Sequence, residues 1–486
     1  MITGADYIRI LPELVLTLFG MLVMLVEPLL PEHGSRRTLG VISFAGAALA
    51  LLASWYQSGY AGTAFYGMVR VDTFSIFFHS IVCIIAALAI LASIEYLDVQ
   101  EIRSGEYYGL ILFGAVGMCL MSSAIELVLV FIALEISSIS TYILAGFRRR
   151  AAISAESSLK YFLLGSFATA FFLYGVALMF GATGSTATDA IAAALHTGTS
   201  GPLVYAAVAM MFVGIGFKVA AAPFHVWTPD VYEGAPAPVV ALMSTAPKAA
   251  AFAVLLRVLF GAALPGWFWL VWVAAVLSMT LGNLGALVQN NVKRLLAYSS
   301  IAHAGYVLVA VAALERGVPA VIFYAAAYAI MNVGAFAIVS HFSGYGERYV
   351  TIDDYAGLGR RSPLLAGALT VLLLSLIGIP MTGGFFAKFY VFAAALEGHL
   401  VWLTIIGVVN SAVAAYYYLR LIVVMYMREP TGEAPVAPLR PALALVLAIS
   451  VGGTLYLGLL PGRVLDFAAQ SAQDLLQPVT QIVTLR

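Results

Sequence analysis

The chain is poor in charge. Asp, Glu, Lys and Arg make up 10% of its 486 residues, where a soluble domain carries about 25%. Positive and negative charges cancel, so nothing in the charge balance points to nucleic acid as a partner. There are only two cysteines, Cys83 and Cys119, both in apolar runs. Two thiols cannot build a metal cluster alone, and both read as small apolar core residues. No His/Cys/Glu set has metal-ligand spacing, and no glycine-rich phosphate loop follows a strand. The chain therefore offers no metal site and no cofactor-binding motif of its own. Long polar stretches are missing too. The longest gaps, 182–202 and 343–362, are about twenty residues and leave no room for a soluble catalytic module. The first apolar run, 10–30, is too long for a signal-peptide core and lacks a basic flank. It is expected to be a membrane helix.

What is abundant is apolar sequence, at 62% of the chain. Runs near 10–30, 38–55, 72–94, 108–123, 125–146, 158–181, 203–222, 237–262, 267–288, 295–314, 319–342, 363–395, 400–426 and 441–461 can each span a bilayer. They are continuously apolar rather than alternating, so helices are expected and a barrel is not. The fold class is an all-α polytopic membrane protein with about 14 transmembrane helices. Residues 1–486 form one membrane domain. It comprises N-terminal helices (1–107), a first repeat (108–262), a second repeat (267–426) and a last helix (441–461).

Lysine and arginine in the loops suggest the orientation. With both termini outside the cytoplasm, the cytoplasmic loops hold thirteen basic residues: Arg36, Arg37, Arg103, Arg148, Arg149, Arg150, Lys293, Arg294, Arg348, Arg360, Arg361, Arg428 and Arg440. The other side holds five: Arg9, Arg70, Arg316, Arg463 and Arg486.

Lysine is rare. Of five, four (Lys160, Lys218, Lys248 and Lys388) fall in apolar segments. Glu135 falls in another. A charge at the bilayer centre costs roughly 2.5–3.5 kcal/mol on insertion scales, and such residues mark ion or proton paths. Arginine cannot release its proton in a protein, whereas a buried lysine can. Glu135 and Lys218 are the natural ion pair, whose opening would release a proton. A static bridge joining two helices is the plainer alternative. Lys248 lies about eleven residues into its run, roughly 16 Å deep at 1.5 Å per residue, too deep to snorkel. Lys160, near a helix end, could snorkel. His225 follows Lys218, and His303 shares a segment with Tyr298. Both histidines are relay candidates, with Tyr298 a further one. His79 and His341 read as packing or interface residues.

Prolines mark expected helix breaks. Pro223 would free the carbonyl of Val219, Pro380 that of Leu376 and Pro247 that of Met243. Two lysine-bearing, Gly/Pro-interrupted segments, broken near 219–225 and 378–384, are the pattern of inverted five-helix repeats.

The most specific stretch is AAPFHVWTPDVYEGAPAPVVALMSTAPKAA, residues 221–250. It resembles the antiporter-like subunits of respiratory complex I, and through them the multi-subunit cation/proton antiporters. Within that family the wording Pro229-Asp230-Val231-Tyr232-Glu233-Gly234-Ala235-Pro236, the lysine at 388 and the short C-terminus resemble the subunit N branch of bacterial NADH–quinone oxidoreductase. The resemblance implies proton translocation through Glu135, Lys218, Lys248 and Lys388, with His225, His303 and Lys160 as relays. It implies partners carrying NADH, FMN, iron–sulfur and quinone sites, with subunits M and K as neighbours in a bacterial inner membrane surrounded by lipids. A subunit of a cation/proton antiporter or of a membrane-bound hydrogenase remains the alternative, as does a scaffold whose lysines only hold helices together.

Overall fold

The computed structural model describes residues 3–31, 34–198, 201–430 and 438–484, with side chains to 476. The order of helices is α1 (Gly4–Ile8), α2 (Leu11–Val26), α3 (Arg37–Tyr56), α4 (Thr73–Val99), α5 (Glu106–Ser123), α6 (Leu127–Ala145) and α7 (Ala152–Thr183). Then come α8 (Thr188–His196), α9 (Pro202–Val219), α10 (Thr228–Gly234), α11 (Ala237–Met243), α12 (Ala246–Leu256), α13 (Phe268–Leu287) and α14 (Val292–Ala312). The chain ends with α15 (Val318–Phe342), α16 (Leu358–Arg361), α17 (Pro363–Ile377), α18 (Gly383–Glu397), α19 (Val401–Met427), α20 (Pro441–Leu459) and α21 (Gly462–Thr484).

Thirteen described helical segments are long and apolar enough to cross a membrane. The run 363–395 divides into α17 and α18, fifteen residues each. At 1.5 Å per residue each half is about 22 Å long, short of a ~30 Å hydrocarbon layer.

Polar residues set the helix starts. Asp72 caps α4: its Oδ1 accepts the Ser75 N–H at 2.8 Å, and Ser75 Oγ accepts the Asp72 N–H at 3.0 Å. Glu126 caps α6 and Asn291 caps α14 by accepting backbone N–H groups of the first turn, without the returning bond. The helices α12, α14 and α15 are almost wholly buried, whereas α2, α7, α19 and α20 expose apolar faces. In a bilayer those faces meet lipid, so the exposed Leu, Phe and Val side chains are the solvent-matched surface.

Three features depart from the sequence reading. The loop before α4 holds an antiparallel hairpin, β1 (Gly62–Ala64) with β2 (Val69–Val71), Thr63 opposite Arg70, although no strand was expected. The polar gap 182–202 contains α8. After the last expected span the chain forms α21, which packs on α4: Ser471 Oγ donates to the Thr73 carbonyl, Asp474 accepts the Thr73 N–H at 3.0 Å and Phe467 meets Phe77 edge to face. Hydropathy misses α21 because the helix is amphipathic, apolar on one face only.

Candidate functional site

The breaks are made by backbone geometry, not by proline. The helix α9 stops at Val219 because Ala220 turns left-handed, at φ 59°, and the Ala221 N–H closes on the Gly216 carbonyl at 2.8 Å. The helix α17 stops at Ile377 in the same way. Gly378 has φ 97°, and the Ile379 N–H closes on the Leu374 carbonyl at 3.1 Å. Both are Schellman closures. Pro223 and Pro380 lie beyond these ends, and the carbonyls of Val219 and Leu376 stand in last turns that a helix leaves open whether or not a proline follows, so the prolines are not what makes the breaks. Pro247 sits in the first turn of α12, where a missing N–H costs nothing. The interruption lies just before it, at Ser244 and Thr245.

The linker after α9 is fastened by aromatic packing. Trp227 stacks on Tyr161 at 4.4 Å between ring centroids and on Phe217 at 5.1 Å, and its Nε1–H donates to the Phe217 carbonyl at 3.2 Å. This holds α10 against α7 and keeps Lys218 in the interior.

Lys218, Lys248 and Lys388 are 3%, 4% and 6% exposed, which excludes snorkelling for all three. Their partners differ from the simplest expectation. Lys218 Nζ donates to Ser138 Oγ at 2.9 Å, and among the described residues no Glu135–Lys218 contact falls within 4.0 Å. Ser138 lies one helical turn beyond Glu135 on α6 and takes the place of the carboxylate. One buried oxygen of Glu135 has no hydrogen-bond partner. The expected direct ion pair is therefore an open one.

Lys248, in the first turn of α12, donates to the Ser300 carbonyl at 3.1 Å and to Ser300 Oγ at 2.5 Å. Lys388 donates to the Ile377 carbonyl and to Ser411 Oγ, both at 2.8 Å, and its ammonium lies 4.8 Å from the Tyr306 ring centroid. Ser299, Ser300, His303 and Tyr306 all lie on α14 at helical spacing, so one helix faces both lysines. His303 Nδ1 pairs with Tyr324 Oη at 2.7 Å and Nε2 with Tyr418 Oη at 3.3 Å. Tyr418 also meets Ser299 Oγ. Beyond Tyr306, Asn283 joins Tyr306, Asn410 and Tyr417. A cavity of about 20 Å³, lined by Lys248, Ser300, His303, Tyr324 and Tyr328 among others, has room for one water.

The remaining relay candidates fall elsewhere. Tyr298 makes no hydrogen bond to His303; its ring packs where Gly285 leaves space. The tyrosines that hydrogen-bond His303 are Tyr324 and Tyr418, which lie in other helices. Lys160 is 40% exposed and pairs at 2.7 Å with both Glu156 and Asp230. It belongs to a network at a helix end with Arg294 and Glu233. There Asp230, although partly desolvated, is held below the usual carboxylate range by Lys160 and Arg294. His225 lies in the linker after α9 with a buried, unpartnered Nδ1.

Sequence reasoning missed a second buried charge cluster. Glu347 accepts from Lys293 Nζ at 2.8 Å, Arg148 Nη1 at 2.7 Å, the Ala237 N–H at 2.8 Å and Tyr96 Oη at 2.8 Å. Lys293 was expected in a loop but is 1% exposed, and it also donates to the Glu233 and Ala235 carbonyls. Burial pushes Glu347 up, but Lys293 and Arg148 outweigh it and hold the carboxyl below its usual range. Among the described residues no group of three His, Cys, Asp or Glu side chains could hold a metal.

Broken membrane helices that carry buried lysines, joined by a polar stripe on a central helix, define an antiporter-like polytopic membrane protein. Residues 124–414 match the family described as NADH:quinone oxidoreductase/Mrp antiporter, transmembrane. NADH-quinone oxidoreductase subunit N 2 of Koribacter versatilis is 66% identical, covering 97% of this chain and 98% of the relative. Subunit N of Trichlorobacter lovleyi is 46% identical over 96% of each chain. The chain belongs to the subunit N family of NADH-quinone oxidoreductases. A chain of respiratory complex I from Thermus thermophilus is 40% identical, with TM-score 0.80, over 94% of this chain and 98% of that one. A chain of the Mrp complex from Dietzia shares the fold, with TM-score 0.86 at 21% identity over 99% of both chains.

Proposed function

We propose that the chain is the proton-translocating membrane subunit of an NADH-quinone oxidoreductase, and that protons move along Glu135, Lys218, Lys248, His303 and Lys388. The observation that carries the reading is the α14 stripe, on which Ser300 contacts Lys248, His303 follows one turn later and the Tyr306 ring faces Lys388. Such a stripe has no use in a static scaffold, where each lysine needs only its own nearest acceptor.

The electron-transfer groups (NADH, FMN, iron–sulfur clusters and quinone) belong to other subunits in this reading. Quinone reduction there shifts charge along the membrane. When Glu135 approaches Lys218, the ammonium is held; when it withdraws, as in the open arrangement here, Ser138 alone holds it and the proton is released toward Lys248. It then passes over Ser300, a single water and the His303–Tyr324–Tyr418 group to Lys388. His225 sits where a proton could enter beside Lys218. Moving one charge against 100 mV costs about 2.3 kcal/mol, which corresponds to about two pKa units between donor and acceptor. Opening one ion pair in a low dielectric supplies that much.

The two Schellman-closed breaks support two inverted repeats, 108–262 and 267–426. The basic-residue bias supports both termini on the non-cytoplasmic side, and the family resemblance supports a bacterial inner membrane. Subunits M and K are the neighbours that the family resemblance supports.

The test is proton pumping in vesicles holding the whole complex with Lys218→Ala, normalised to assembled complex. Intact assembly with collapsed pumping is expected. Intact assembly with unchanged pumping would overturn the reading. Pumping in sodium-free buffer separates proton from sodium coupling.

A further inference from the structure

A second ionisable cluster lies among the N-terminal helices, mostly outside residues 124–414. Glu13 on α2 is 4% exposed, and neither of its carboxyl oxygens has a hydrogen-bond partner. His79 on α4 is fully buried. Its Nε2 lies 3.1 Å from the Cys119 carbonyl and 3.6 Å from Glu13 Oε1, and its Nδ1 has no partner. Nearby, Asp72 Oδ1 accepts from Arg257 Nη2 at 2.6 Å. Arg257 also donates from Nε to the Ser122 carbonyl at 2.5 Å and lies over the Phe74 ring. Cys119 on α5, whose carbonyl meets His79, also pairs through its thiol with Cys83 on α4. On the α21 side Asp474 is occupied by the Thr73 N–H.

Arg257 and Asp72 neutralise each other. Glu13 and His79 have no such counterpart, and three of their buried polar atoms are unsatisfied. Each unsatisfied atom costs about 1–3 kcal/mol, so packing alone does not explain a buried glutamate in the first turn of α2 facing a buried histidine. The Cys119 carbonyl can only accept, so Nε2 carries the ring hydrogen and Nδ1 offers a free lone pair.

We propose that Glu13 and His79 form a proton-binding site, separate from the lysine axis, that holds one exchangeable proton. The site holds it either as an O–H on a Glu13 oxygen or as an N–H at His79 Nδ1; Glu13 faces Nε2, so the two forms exchange their proton with the surroundings and not directly with each other. In the second form the carboxyl O–H is broken and the Nδ1–H made, and a carboxylate faces an imidazolium whose Nε2–H points between Cys119 and Glu13. The site connects to the axis through one helix. Arg257 follows Lys248 by nine residues, about 14 Å along the rise, and opens a π-helical turn, Arg257–Gly261, a feature frequent at functional sites. Its partner Asp72 caps the helix that carries His79. A shift of the Lys248 helix therefore reaches the pair.

Infrared difference spectroscopy of the purified whole complex, titrated with pH, reads this site directly. Glu13→Gln should remove one pH-dependent protonated-carboxyl band. His79→Gln, with Glu13 in place, should move the midpoint of that band by about one pH unit, the size of one neighbouring charge's effect. Identical difference spectra for the natural complex and Glu13→Gln would overturn the proposal. If Glu13→Gln does not assemble, an unmoved midpoint in His79→Gln overturns it instead. Neither readout depends on pumping, so the result is independent of the lysine path.

Discussion

Lys388 Nζ lies 2.8 Å from the carbonyl oxygen of Ile377, the last residue of α17. The ammonium of the second half-helix thus sits at the negative end of the first, where unpaired carbonyls and the helix dipole both favour a cation. The broken helix places an acceptor set at the lysine without adding a carboxylate.

That geometry depends on Gly384. A Cβ there would stand 1.8 Å from the Ser375 carbonyl oxygen, which is backbone and cannot move aside. Gly384→Ala should push α18 off α17 and cost about 1–3 kcal/mol, the usual cost of overpacking. The yield and thermal stability of the assembled complex should fall. Gly367→Ala, at a position with open space around it, should change neither.

Among the described residues of α14, His303 is the one histidine, and it lies one turn from Ser300, which meets Lys248, and one turn from Tyr306, which faces Lys388. His303→Phe should leave assembly intact and lower coupled pumping by about a hundredfold, the low end of what a positioned proton-transfer group contributes. Tyr324→Phe and Tyr418→Phe should give smaller losses, and Tyr298→Phe almost none. Pumping per assembled complex checks the order of effects.

Ser138 is the direct partner of Lys218. Ser138→Ala leaves a buried ammonium without its hydrogen bond and should cost about 1–3 kcal/mol. Glu135→Gln removes the charge but leaves Ser138 in place. It should preserve stability better than Ser138→Ala while lowering pumping more. Melting of the complex and pumping by the two variants separate the roles.

Glu347 tests pH dependence. Its carboxyl is held below the ordinary glutamate range in the folded protein, so its contribution is present above the unfolded value, about 4.3, and is lost as pH falls through the lower folded value. Melting temperature should therefore show no loss from this group between pH 8 and about pH 5, and a loss in stronger acid. Glu347→Gln leaves Lys293 and Arg148 without a buried counter-charge and should cost about 3–5 kcal/mol at neutral pH. Circular dichroism melts of the complex at several pH values read both effects.

The sequence alone determined the membrane class, the positions of the spanning helices, the two lysine-bearing breaks and the five residues Lys160, Lys218, Lys248, Lys388 and Glu135 within apolar runs. These were legible because hydropathy is local: a lysine amid twenty apolar residues is visible without knowing its neighbours. Tertiary structure decided which groups meet. Ser138 stands where Glu135 was expected, and Tyr324 and Tyr418 where Tyr298 was. Glu347 gathers Arg148 and Lys293 from positions 199 and 54 residues away, and Arg257 reaches Asp72 across 185. No window of sequence contains such pairs. Hydrogen bonds and ion pairs act over about 3 Å in space, and only the packing of the helices sets which side chains come that close.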